Sequence, residues 1–247
     1  MASVTMTAKE RLVIALDVDD AGAALKLVAE LKASVGLFKV GHQLFTAYGP
    51  DIVRRITQQG GRVFLDLKFH DIPNTVAKAS AEAVKLGASI FNVHALGGFD
   101  MMKAAAEAAR EAAERNGLAL PMLLAVTVLT SMDERSLKRD LKITRSLPRT
   151  VSHLARLAQR AGLHGVVASP REIKPLRRGL RGPFVILTPG VRPSWASRDD
   201  QQRTMTPGEA VGAGADFLVV GRPVLRADDP VKAVQKILAE IEDTTSQ

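Results

Sequence analysis

Short apolar runs and helix-spaced stretches alternate eight times along this chain, and few architectures accommodate such a pattern. The runs 11–18, 37–41, 62–69, 88–95, 120–130, 165–169, 184–191 and 217–222 have the length and aliphatic content of buried strands. The stretches 21–34, 50–59, 74–86, 99–116, 148–162, 171–178, 207–213 and 230–242 carry Ala, Leu, Lys and Glu at helical spacing. Gly60-Gly61, Gly87 and Gly117 stand where helices should stop, and Pro50, Pro207 and Pro230 near where they should start.

A parallel strand pair needs a crossover of this length, and strands covered on both faces read as continuous apolar runs. Eight such units in 247 residues predict an α/β protein, a closed (β/α)8 TIM barrel forming one domain over 1–247, with flexible ends at 1–10 and 243–247. The competing topology is an open doubly wound sheet. Its dinucleotide fingerprint is missing, since the nearest match, Gly212-Ala-Gly214, precedes the last strand; no P-loop spacing occurs either. The long connections are the charged 131–148 and the segment 192–206, which is expected to be mobile.

Hydrophobic residues make up 46% and charged residues 24%, ordinary usage for a chain that buries a large core. With no cysteine, thiolate metal sites, redox dithiols and cysteine nucleophiles are excluded. No apolar run reaches the ~20 residues that span a bilayer, and Met1 to Arg11 carries no apolar targeting core. A cytoplasmic protein is expected. The net charge is +8, and the excess is local: sixteen Lys and Arg stand against four Asp and Glu between Arg135 and Arg203. Such a half fits solvated helix faces, a nucleic acid, a membrane surface or an anionic small molecule.

Charged residues sit where a core should be. In the third run, Val63 to Asp71, side chains two apart share a face, so Asp66 and Lys68 point together while Leu65, Leu67 and Phe69 point the other way. Both faces of a barrel strand are dry, so these charges must pair or lie where the strand opens into a site. The C-terminal strand ends are where barrels build sites. Asp17 closes the first run, Lys39 sits in the second, Asp71 follows the third, Thr130 and Ser131 end the fifth, Arg192 follows the seventh, and Gly221-Arg222 end the eighth. The loops after strands seven and eight commonly hold a phosphate, for which Gly221-Arg222 and the amide of Gln201 are suited. The five histidines form no metal signature, and His70 and His94 read as buried neighbours of the site rather than cation ligands. Met101-Met102 reads as helix packing and Trp195 as a surface aromatic or a loop contact.

The segment Asp66-Leu-Lys68-Phe-His-Asp71-Ile-Pro-Asn-Thr75 closely resembles the active-site segment of the orotidine 5′-phosphate decarboxylase family. The likeness continues through Ala15-Leu-Asp17, Phe38-Lys39-Val-Gly41, Asn92-Val-His94-Ala and Val128-Leu-Thr130-Ser131. It extends over Thr188-Pro-Gly-Val-Arg192, Asp200-Gln201 to Thr206, and Val220-Gly221-Arg222-Pro, spanning residues 13 to 223 in family order. The Asp-x-Lys-x-x-Asp core alone is shared with sister barrels that decarboxylate sugar phosphates. Departures are Leu96 before Gly97-Gly98 and a short, very basic 138–149 connection, away from the catalytic positions.

The resemblance implies decarboxylation of orotidine 5′-phosphate to uridine 5′-phosphate by a homodimer with no metal or organic cofactor. It implies that Lys39, Asp66, Lys68 and Asp71 form an alternating charged network, with Asp71 serving the partner's site and Lys68 giving a proton to C6. Asp17 and Lys39 would hold ribose hydroxyls, with Thr75 from the other subunit; Thr130 and Ser131 would meet the pyrimidine edge. Arg192, Gln201, Gly221 and Arg222 would grip the phosphate, and 192–206 would close over it as a lid. The rivals are a magnesium-dependent sugar-phosphate decarboxylase and a nucleic-acid binder using the basic half, although aromatic residues at 4% leave little for base stacking.

Overall fold

The computed structural model describes residues 6–196 and 205–245. Eight parallel strands, β1 (Leu12–Ala15), β2 (Leu37–Val40), β3 (Val63–Phe69), β4 (Ile90–His94), β5 (Met122–Val126), β6 (Gly165–Val167), β7 (Val185–Pro189) and β8 (Phe217–Val220), pair in sequence order. Pairing of Leu12 with Leu218 and Val13 with Val219 closes the barrel.

The alternation of side chains along each strand divides the core in two. Leu12, Ile14, Phe38, Leu65, Phe91, Leu123, Val166, Ile186 and Leu218 point outward beneath the helices. Val13, Ala15, Leu37, Phe64, Ile90, Leu124, Val126, Val167, Leu187, Phe217 and Val219 fill the interior. Burying each large aliphatic or aromatic side chain contributes about 1.5–3 kcal/mol, so the apolar layer supplies a stable floor. Two residues further toward the C-terminal ends, the inward positions become Asp17, Lys39, Asp66 and Asn92. The barrel's mouth is therefore polar by the same parity that makes its floor apolar.

The helices bury regular stripes. In α7 (Leu147–Arg160), Leu147, Val151, Leu154, Ala155 and Ala158 face inward. In α5 (Gly98–Asn116) the buried face is Met101, Met102, Ala105, Ala109, Ala112 and Ala113, so the paired methionines pack. The remaining crossovers are α2 (Ala21–Leu31), α3 (His42–Gln58), α4 (Pro73–Lys85), α8 (Ile173–Gly179) and α9 (Pro207–Gly212); α10 (Arg222–Leu225) and α11 (Pro230–Thr245) close the chain. Among the described residues no helix is long and apolar enough to cross a membrane.

Several boundaries differ from the sequence reading. Within 1–10, expected to be flexible, Ala8 begins a helical turn, α1 (Ala8–Arg11), closed by a capping box between Thr7 and Glu10. At the other end α11 continues to Thr245, so 243–245 are helical. The third helix begins at His42 rather than 50, because Gly49 (φ 59°) breaks the path and Pro50 restarts it. The fifth strand is shorter than the run 120–130, which places Thr130 and Ser131 outside it, in an exposed turn closed by Met132 N–H donating to the Leu129 carbonyl. The charged connection contains α6 (Glu134–Leu141), capped reciprocally by Asp133 and Ser136. Of the expected lid, 197–204 and hence Gln201 lie outside the described residues.

Candidate active site

The mouth is organised by an irregularity in β3. Leu65 pairs with Phe91 and Phe69 with Val93, so Asp66, Leu67 and Lys68 stand opposite Asn92 alone. Two extra residues make a bulge without changing which face each side chain takes, and Asp66 and Lys68 still point inward together. Lys68 adopts φ 50°, a conformation that costs a non-glycine residue about 1–3 kcal/mol. Asn92, buried inside β4, holds it there. Its Oδ1 accepts from the Lys68 backbone N–H at 2.7 Å, and its Nδ2 donates to Asp66 Oδ1 at 2.7 Å.

From this point the charges alternate toward the rim. Lys68 Nζ donates to Asp66 Oδ1 at 2.7 Å, Asp66 Oδ2 lies 3.6 Å from Lys39 Nζ, and Lys39 donates to Asp17 Oδ1 at 2.9 Å. Side-chain exposure is 14% for Asp66, 12% for Lys39 and 28% for Lys68, against 55% for Asp17. The inner three are thus largely removed from water, where their fields are screened least. Gly41 makes room for them: a Cβ there would lie 3.0 Å from Lys39 Nζ and 3.6 Å from Asp17 Oδ1.

Asp71 does not join this network in its own chain. It is exposed, with its carboxylate accepting from the Ile72 N–H at 2.6 Å. Thr75, in the first turn of α4, is exposed beside it, as is Ile72. The ring of His70 stacks on His94 with centroids 5.3 Å apart, at the far end of the bulge. Burial, then the neighbouring His70 and Lys68, pushes the His94 imidazole down to about 4, so it adds no charge at neutral pH. Its Nδ1 accepts from Leu96 N–H, which leaves the ring proton on Nε2.

Beside the charges lies a cavity of about 230 Å³ that runs from Asp17 and Lys39, over Gly190 and Gly221, to Arg192 and Arg222. Arg192 is buried three residues beyond the end of β7, with its backbone N–H donating to the Met205 carbonyl. Arg222 opens α10 directly after Gly221, which ends the inward column of β8. A larger hollow of about 570 Å³ beside Arg145, Arg149 and Arg156 on the outside of the barrel touches none of these groups.

The sequence-predicted residues Asp17, Lys39, Asp66, Lys68, Arg192, Gly221 and Arg222 are therefore brought together. Asp71 and Thr75 sit exposed at the edge, and Thr130 and Ser131 in the exposed turn after β5. Asn92 was missed as a functional residue, although an amide at an inward position of an otherwise apolar strand was the available signal. Replacing Asn92 by Ala leaves the Lys68 N–H without its acceptor and Asp66 short of a donor. The expected result is a loss of about 1–3 kcal/mol in stability per orphaned buried group. A fall in kcat larger than any rise in KM should accompany it, measured by denaturant midpoint and steady-state kinetics. Unchanged kcat would show that the bulge holds Lys68 without the amide.

Known proteins share this chain's sequence and its barrel. The sequence profile described as "Orotidine 5′-phosphate decarboxylase / HUMPS family" matches residues 10–237. A protein of Syntrophotalea carbinolica named orotidine 5′-phosphate decarboxylase is 56% identical over 234 residues, covering 95% of this chain and 96% of its own. One of Moorella thermoacetica with the same name is 52% identical over 239 residues, covering 97% and 95%. A crystal structure of orotidine 5′-phosphate decarboxylase from Lactobacillus acidophilus superposes with a TM-score of 0.83 at 38% identity, covering 93% of this chain and 98% of that one. With the profile spanning all eight strands and the charged bulge of β3 within it, the chain belongs to the orotidine 5′-phosphate decarboxylase / HUMPS family.

Proposed function

We propose that this chain releases carbon dioxide from C6 of orotidine 5′-phosphate to give uridine 5′-phosphate, a step of pyrimidine biosynthesis. The observation that carries the reading is the Asp17–Lys39–Asp66–Lys68 row, set beside a cavity that ends on two arginines. Arg192 and Arg222 take the phosphate, Asp17 and Lys39 take ribose hydroxyls, and the base reaches Lys68. Thr130 and Ser131 meet the pyrimidine edge, and Gln201 adds a donor to the phosphate.

The chemistry follows from the charges. When the bond between C6 and the carboxyl carbon breaks, carbon dioxide departs and the electron pair stays on C6. That pair lies in the ring plane, where resonance gives it little relief. A fixed ammonium in a water-poor site lowers the energy of such charge most, because its orientation is set before the reaction. Lys68 then transfers a proton from Nζ to C6, and the free amine recovers one from solvent. Asp66 and Asn92 fix Lys68 in place throughout. No metal or organic cofactor is assigned a step.

A second copy of the chain completes the site in this reading. Asp71, Ile72 and Thr75 stand exposed close together in the chain after β3, and Asp71 adds a further charge to the partner's row. The direct test follows ultraviolet absorbance as orotidine 5′-phosphate is consumed, with a chelator present, alongside sedimentation of the same sample. Turnover by a dimer is expected. Absence of turnover, or activity that needs added magnesium and a sugar phosphate, contradicts the reaction; an active monomer contradicts the shared site.

A further inference from the structure

The cavity that begins at Asp17 ends on Arg192, Arg222 and Pro223, and these same three residues wall a second cavity of about 260 Å³. Its remaining lining is Trp195, Ala196, Arg226 and Ala227. We infer that this second cavity is a subsite for a further phosphate, so that the chain binds pyrimidine nucleoside 5′-diphosphates with the outer phosphate on Arg226. The inference rests on the proposed reading of the first cavity.

Three features support it. First, the second cavity adds a guanidinium to the two that the proposed reading gives the 5′-phosphate. A phosphate monoester carries about two negative charges near neutral pH; Arg192 and Arg222, which both cavities share, face it in the proposed reading, and Arg226 adds a third guanidinium in the second cavity alone. Arg226 has no acidic partner among the described residues. Asp228 and Asp229, which follow it, do not line the cavity, and Asp229 is engaged with Lys232 at 3.3 Å.

Second, the cavity's walls are fixed. The Arg226 backbone N–H donates to the Arg222 carbonyl at 3.0 Å, which sets the two guanidinium stems one turn apart. Next to Trp195, Ser194 donates to Glu240 Oε1 from both its hydroxyl (2.8 Å) and its N–H (3.1 Å). The Lys236 ammonium lies 5.5 Å from the Trp195 ring centroid. The start of the segment after β7 is thereby tied to α11, which brings one cation, Lys236, and one carboxylate, Glu240, beside it.

Third, connectivity dictates the ligand's order. A ligand held in the first cavity reaches Arg226 by extending past Arg192 and Arg222, on which the 5′-phosphate rests in the proposed reading. A second phosphate does so through one bridging oxygen, and a guanidinium fork matches its oxygens. Such a ligand lacks the C6 carboxyl, so it occupies the site without reacting and competes with substrate.

The test compares uridine 5′-monophosphate and uridine 5′-diphosphate as inhibitors of the wild-type enzyme and of Arg226→Ala, an exposed position whose change leaves the core untouched. The diphosphate should inhibit competitively and at least as tightly as the monophosphate. Arg226→Ala should weaken the diphosphate by about tenfold or more and leave monophosphate inhibition and kcat/KM essentially unchanged. Wild-type enzyme that binds the diphosphate much more weakly than the monophosphate overturns the subsite. A variant that weakens both equally, or neither, overturns it as well. If the underlying reading is at fault, the failure looks different: orotidine 5′-phosphate is not turned over and the monophosphate does not bind.

Discussion

Replacing Lys68 by Ala should abolish nearly all turnover while leaving a folded protein that still binds uridine 5′-phosphate. Two effects are lost at once. Removing a positioned acid costs roughly 10²–10⁴ in rate, and removing one preorganised electrostatic donor roughly 10²–10³, so a combined fall of about 10⁴ or more is expected. Folding should survive, because Asp66 keeps the Asn92 amide at 2.7 Å and Lys39 at 3.6 Å. The penalty should therefore fall below the ~3–5 kcal/mol for orphaning a buried charge. Single-turnover kinetics and product binding by calorimetry separate the two effects. Retained turnover contradicts the proton-donor role, and lost binding with lost turnover points to a collapsed site instead.

Replacing Arg222 by Ala should cost about 2–5 kcal/mol of transition-state stabilisation, the range for truncating one member of a desolvated charge pair. That is roughly 30-fold to several-thousand-fold in kcat/KM. The phosphate does not touch the reacting carbon, so its binding energy contributes to rate only by positioning the base against Lys68. A mutation at the far end of the cavity should therefore lower kcat as well as raise KM. Near-normal kcat/KM in this variant would remove the phosphate assignment, and Arg226→Ala provides the neighbouring control.

The order of strands and the charged mouth were legible because both depend on parity and period. The inward position of Lys39 follows from Leu37 two residues earlier, and that of Asp66 from Phe64. Three things were not legible. The bulge at 66–68 leaves no local mark, since its two extra residues preserve the alternation. The end of β5 was overextended because Val128 remains buried beyond the strand, so hydrophobicity continued where pairing had stopped. The helix at 134–141 was hidden by its charge, although Asp133 and Ser136 spelled a capping box. Thr75 was readable as a site residue only by resemblance, because nothing in the strand pattern marks an exposed residue in the first turn of a helix.

A crystal structure with uridine 5′-phosphate bound examines the central claim most directly. The expected result puts Lys68 Nζ within about 3–3.5 Å of C6, still paired with Asp66, and the phosphate between Arg192 and Arg222. An ammonium turned toward solvent, or a base seated with another side chain nearest C6, would contradict it.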